Sequence, residues 1–119
     1  MKLALGTVQF GLSYGISNKT GQTKINDVKE ILETAKQNKI QLLDTASLYG
    51  QSEIVLGKSL TFDNPFKIVT KTIRFNSPII SQKECDSLVK NIEQSLIKLH
   101  QKNIYGVLFH NSQDVLVKN

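Results

Sequence analysis

The chain has one cysteine, one methionine, two prolines, no tryptophan and a single arginine among its 119 residues. One cysteine allows no internal disulfide, which excludes a cystine-stapled secreted scaffold and points to a reducing cytoplasm. No apolar run approaches the ~18 residues of a membrane helix. The opening MKLALGTVQFG has too short an apolar stretch for a signal peptide, so Met1 is expected to begin the folded chain. No C-x-x-C, H-E-x-x-H or related ligand spacing occurs, and no metal site is expected. The glycines at 6, 11, 15 and 21 do not form G-x-G-x-x-G, so a Rossmann or P-loop reading has little support. With 39% hydrophobic residues and no low-complexity segment, the chain is neither disordered nor collagen-like. It reads as one domain over residues 1–119.

The net charge is +5, which raises the question of a nucleic-acid partner. Sequence-reading DNA proteins use arginine forks and clustered basic stripes. Here Arg74 is the sole arginine and the lysines are scattered. The charge reads as a solvated surface, with no nucleic acid and no membrane expected as partner.

Strand-length apolar runs stand at Leu3–Val8, Ile40–Leu43, Lys67–Val69 and Ile104–Phe109. Helical patterns lie between them. Val28, Ile31, Leu32 and Ala35 share one face, with Asn26 a candidate N-cap. Ser52–Leu60 is a shorter candidate. Over Ser81–His100, Ser81 and Glu84 form an S-x-x-E capping box. Cys85, Leu88, Val89, Ile92, Leu96 and Leu99 follow as one apolar stripe, with Cys85 expected to be buried. Strand and helix in alternation imply parallel pairing with right-handed crossovers, both sheet faces covered. An eight-fold barrel of ~250 residues averages about 31 residues per unit. Four such units fit this chain, although a small doubly wound sheet fits the rhythm too.

Three runs finish on chemically active side chains. IQLLDTA leads to Asp44, FKIVTKT to Lys71 and IYGVLFHN to His110. The C-terminal ends of parallel strands are where barrels and open α/β sheets build their sites. Tyr49 follows Asp44 in the next loop. An ammonium beside a phenol favours the phenolate, so Lys71 could tune Tyr49 as a proton donor. Asp44 would anchor Lys71, and His110 could hold a carbonyl oxygen. That set suits carbonyl reduction, with a hydride from a cofactor and a proton from the phenol. Glu53 reads as a residue favourable to a helix dipole, and His100 as a residue at a helix C-terminus.

The segment LLDTASLYGQSEIVLGKSL resembles the aldo-keto reductase pattern of D-T-A, then Y-G, S-E and L-G. The resemblance implies a catalytic tetrad of Asp44, Tyr49, Lys71 and His110 on a parallel (β/α)8 TIM barrel, of which this chain carries about the first four units. The opening LALGTVQFG resembles the family's first strand, which implies that Gly6 and Thr7, with Asp44, lie toward the nicotinamide. GTVQFGLSYGISNKTGQ resembles a bacterial subgroup associated with carbohydrate metabolism. The implied activity is reduction of an aldehyde or ketone with NADPH, or NADH, acting on a small-molecule carbonyl substrate. The family's barrel is about twice this length, and its main cofactor clamp lies in the half not represented. The alternative is a non-catalytic binding module or inactive half-barrel that keeps the tetrad. Four strands alone expose two edges and an inner face, which invites self-association.

Overall fold

Leu5, Leu43 and Ile68 stand side by side on three neighbouring parallel strands, and they set which face of the sheet is apolar. The computed structural model describes residues 3–61, 63–75 and 79–116; Met1 and Pro78 lie outside them. The strands are β1 (Ala4–Gly6), β2 (Leu42–Asp44), β3 (Lys67–Lys71) and β4 (Gly106–Leu108), paired in the order β1-β2-β3-β4. Helices α1 (Val8–Gly11), α2 (Ile25–Gln37), α3 (Ser52–Ser59) and α4 (Gln82–Leu99) alternate with them, and a 3₁₀ turn spans Ser112–Leu116. Strands laid down strictly in chain order form the opening half of a (β/α)8 barrel, not a doubly wound sheet, whose order reverses at a switch point.

Period-two alternation divides the side chains. Leu43, Ile68 and Thr70 are buried beneath the helices, while Gly6, Asp44, Val69 and Gly106 share one register row on the opposite face. The core joins Leu43 and Ile68 to Phe10, Val28, Leu32, Leu56 and Leu99. The expectation that both sheet faces are covered is not met. The helices cover one face, and Ala4, Gly6 and Leu108 on the other are exposed.

Two helix boundaries follow from hydrogen bonds. Helix α2 is capped by Lys24, not Asn26, because its first turn closes from the Val28 N–H to the Lys24 carbonyl at 3.0 Å. Helix α4 begins with the expected capping box: the Ser81 N–H donates to the Glu84 carboxylate at 3.0 Å, and the Ser81 hydroxyl donates to it as well. These bonds hold the Glu84 carboxyl below its ordinary value. The stripe of α4 is buried only toward its end. Leu99 is buried, whereas Cys85 and Val89 are exposed, which corrects the expected burial of Cys85. The eight-residue α3 is too short to cover all of the 18-residue α4 against which it packs. The two helices cross closely at Gly57, where a Cβ would lie 2.1 Å from the Lys98 carbonyl oxygen. His100 ends α4 in a left-handed conformation at φ 52°.

Candidate active site

The sequence places an acid at the end of β2 and a lysine at the end of β3, and the fold makes them neighbours. The Lys71 ammonium donates to Asp44 Oδ1 at 2.7 Å and to the Thr45 carbonyl at 2.9 Å. It also lies 4.8 Å from the centroid of the Tyr49 ring, over its face. The ammonium is therefore shared between a carboxylate and an aromatic π-face, a geometry that fixes a flexible side chain. The His110 ring meets Tyr49 edge-on, with centroids 6.1 Å apart and planes at 72°. Asp44 and Lys71 at two strand ends, with Tyr49 and His110 in the loops after β2 and β4, thus form a single cluster.

Each member has a local reason for its place. Thr70 and Thr72 are buried on the helix-facing side, so Lys71 between them points the other way. The Thr72 hydroxyl accepts from the His110 N–H at 3.2 Å, tying the loop after β4 to β3. Tyr49 sits in a tight loop whose N–H groups close on Ala46 and Tyr49 itself: Tyr49 N–H to the Ala46 carbonyl and Ser52 N–H to the Tyr49 carbonyl, both at 3.0 Å. Gly11 lets α1 pass directly beneath this loop, since a Cβ there would fall 1.8 Å from the Tyr49 carbonyl oxygen. No larger residue fits.

His110 lies below its ordinary value of 6.5. Burial is the largest cause, followed by the positive charges of Arg74 and Lys71, while Asp114 opposes them. Its Nδ1 is buried without a hydrogen-bond partner. The tautomer with the proton on Nε2 keeps an N–H out of that unpartnered position.

Gly6 and Thr7, expected to lie toward a nicotinamide, have different surroundings. Gly6 is exposed, and a Cβ there would meet nothing within 4 Å. Thr7 is fully buried. Its hydroxyl and its N–H both donate to the Asp44 carbonyl at 3.0 Å, so its side chain braces Asp44 from behind.

Sequence reasoning missed the polar layer that supports the cluster. Thr7, Thr45, Ser52 and Thr70 are all buried, and isolated Ser and Thr residues in a sequence carry no periodic signal. Glu53, expected to serve a helix dipole, is buried, accepts from the Thr70 hydroxyl at 2.7 Å and lies 4.0 Å from Lys98 Nζ. It ties α3 to β3 and α4 instead. Arg74 was also missed as a site residue. It lines one cleft with Tyr49 and His110. Larger hollows lie elsewhere, beside α2 and at the opposite end of the strands, away from the titratable cluster. Among the described residues no group of three or more His, Cys, Asp or Glu could hold a metal ion, and no helix is long and apolar enough to cross a membrane.

The sequence profile of the aldo/keto reductase family matches residues 2–115. Among solved structures, one Pseudomonas aeruginosa protein assigned to the aldo-keto reductases superposes with a TM-score of 0.76 at 27% identity, covering 94% of this chain and 45% of its own. A Bacillus halodurans aldo-keto reductase in its holo form gives 0.59 at 25% identity over 87% of this chain and 33% of its own. The aldose reductase of Giardia lamblia gives 0.61 at 18% identity over 92% and 32%, a likeness of fold. The chain spans less than half the length of these solved relatives. No curated protein matches it.

Proposed function

Because the chain belongs to the aldo/keto reductase family, we propose that it carries the proton-donating half of an NAD(P)H-dependent carbonyl reductase site, with Tyr49 as the acid and NADPH the expected donor. The observation that carries this reading is the Lys71 ammonium, held 2.7 Å from Asp44 and 4.8 Å over the Tyr49 ring.

The chemistry follows from charge. Reduction of a carbonyl adds a hydride to carbon and a proton to oxygen. As the C–O bond gains electron density, the oxygen draws the phenolic proton of Tyr49, and the O–H bond of the phenol breaks as that of the alcohol forms. The Lys71 cation stabilises the phenolate left behind. Asp44 keeps the cation in place, and its charge pairing holds Lys71 when substrate is absent. The His110 Nε2–H orients the carbonyl oxygen toward the phenol. A substrate bound against Val8, Leu12 and Leu48, the apolar wall of the cleft, would present its carbonyl to both groups.

The open space over Gly6 fits a flat ring at the same sheet edge, so Gly6, with Asp44 beside it in register, would hold the nicotinamide end of the cofactor. A bound dihydronicotinamide supplies the hydride. Thr7 contributes only by bracing Asp44.

The test is Tyr49→Phe. NADPH-dependent reduction of an aldehyde panel is expected to fall by at least about a hundredfold, with NADPH binding, followed by the cofactor's fluorescence, unchanged. Full turnover in the variant would overturn the assignment of Tyr49.

A further inference from the structure

The cleft beside Tyr49 and His110 holds about 350 Å³, near the small end of ligand pockets. Its lining includes apolar side chains at Val8, Leu12 and Leu48 and a cation at Arg74. No carboxylate lines it. Among the described residues Arg74 makes no ion pair and no hydrogen bond, whereas the other cation of the cluster, Lys71, is committed to Asp44.

Arg74 is exposed, and its guanidinium, with no partner of its own among the described residues, is free to take an incoming anion. Its field is already felt in the site, since it disfavours a second positive charge on His110. A chain that otherwise uses lysine for its positive charge has its one arginine here. The two cations differ in what they bind: a guanidinium presents a planar fork that matches carboxylate and phosphate oxygens, while an ammonium is a point charge. Arg74 stands three residues beyond Lys71, on the loop that leaves β3 at the site edge, so an anion on Arg74 and a carbonyl at Tyr49 and His110 belong to one small molecule.

We propose that Arg74 is a specificity residue that selects carbonyl compounds carrying an anionic group, an oxo acid or an oxo-sugar phosphate, through a forked contact at the mouth of the cleft. The proposal rests on the carbonyl-reductase reading and names its substrate class.

A single arginine gives the ¹⁵N-labelled chain a single Nε–Hε resonance, which reports on Arg74 alone. Titration with pyruvate is expected to shift that resonance saturably and to show affinity roughly tenfold or more above that of uncharged methyl pyruvate. In Arg74→Gln, where the Nε–Hε reporter is gone and the Tyr49 and His110 backbone amide resonances are followed instead, the preference is expected to vanish while the remaining spectrum is retained. Arg74→Lys, read the same way, is expected to restore only part of it. Dihydroxyacetone phosphate against dihydroxyacetone forms the second arm; the tighter of the two anions identifies carboxylate or phosphate as the recognised group. Equal affinity for methyl pyruvate and pyruvate, an undiminished preference in Arg74→Gln, or no shift with either anion would overturn the proposal. Propanoate, which lacks the carbonyl, separates the underlying reading. If it binds as tightly as pyruvate, Arg74 is an anion site without carbonyl selection, and the reductase reading is what fails.

Discussion

The Ser52 hydroxyl donates to the Thr7 carbonyl at 2.8 Å, joining residues 45 apart in sequence. The Thr7 hydroxyl has one proton and two acceptors in reach, the Asp44 carbonyl at 3.0 Å and Ser52 Oγ at 2.9 Å. Ser52 uses its proton on the Thr7 carbonyl, so the Thr45 hydroxyl, 3.1 Å from Ser52 Oγ, is the donor to Ser52. Three buried hydroxyls thus each have a proton and an acceptor within reach, and together they link the end of β1, the end of β2 and the start of α3. Asp44 and Tyr49 lie between those anchor points, so the circuit fixes the span that carries two of the four candidate site residues.

Ser52→Ala breaks this circuit at its centre. The Thr45 hydroxyl loses its acceptor away from water, while the Thr7 carbonyl loses one of two donors and keeps the Phe10 N–H at 2.9 Å. Leaving buried groups unpaired costs about 1–3 kcal/mol. Urea denaturation should show that loss as a lower midpoint with an unchanged slope. A stability equal to the parent would show that the circuit does not hold these elements together.

Two glycines on adjoining elements should respond oppositely to alanine. At Gly11 a Cβ would collide with the backbone carbonyl of Tyr49, 1.8 Å away, and overpacking against backbone costs about 1–3 kcal/mol. At Gly6 a Cβ meets open space, so folding should be unaffected. Gly6→Ala is instead expected to weaken NADPH binding by intruding where the nicotinamide would lie. Thermal melts and fluorescence titration of both variants separate the two effects; equal binding by Gly6→Ala and the parent would remove Gly6 from the cofactor floor.

How much of this was legible beforehand depended on the kind of signal. The strand ends at Asp44, Lys71 and His110 were readable because short β-rich apolar runs stop abruptly at polar residues. The α4 capping box was readable because both partners lie within one turn. Asn26 misled because cap preference is a local tendency, and the register of α2 was decided by where Val28 and Leu32 could reach the core. Cys85 misled because a stripe shows which face is apolar without showing how far along it a neighbour extends. The Thr7–Thr45–Ser52 circuit and the Glu53–Thr70 contact were illegible, since each depends on tertiary proximity. Arg74 was visible only as a rarity; its relation to His110 needed the loops after β3 and β4 side by side.

Removing the shared cation should separate catalysis from stability. The Lys71 side chain is 15% exposed and that of Asp44 35%, so water reaches the pair mainly on the carboxylate side and screens it in part. Lys71→Met is expected to leave the urea midpoint within the equivalent of about 1 kcal/mol. Turnover should fall by about a hundredfold or more, because the phenolate then forms without a neighbouring positive charge. A fall in stability with undiminished activity would reverse the assignment, making Lys71 a structural strut.

Titration of His110 supplies a test with a definite sign. Burial, with Arg74 and Lys71 adding to it, holds the imidazole below 6.5 in the folded chain. An unfolded chain has no such environment, so on acidification it takes up the His110 proton first. The linkage then runs one way: as pH falls through 6.5 toward the folded value, protonation favours the unfolded state and stability declines; above 6.5 the residue contributes no slope. In the parent, urea midpoints between pH 7.5 and 5.5 should fall more than in His110→Gln, and the difference between the two proteins isolates this residue from other groups. The imidazole C–H resonance should titrate below 6.5 and move upward in Arg74→Gln, because one of the two neighbouring cations is then gone. A midpoint at or above 6.5 would show that burial does not govern His110, and no change on removing Arg74 would show that the guanidinium does not.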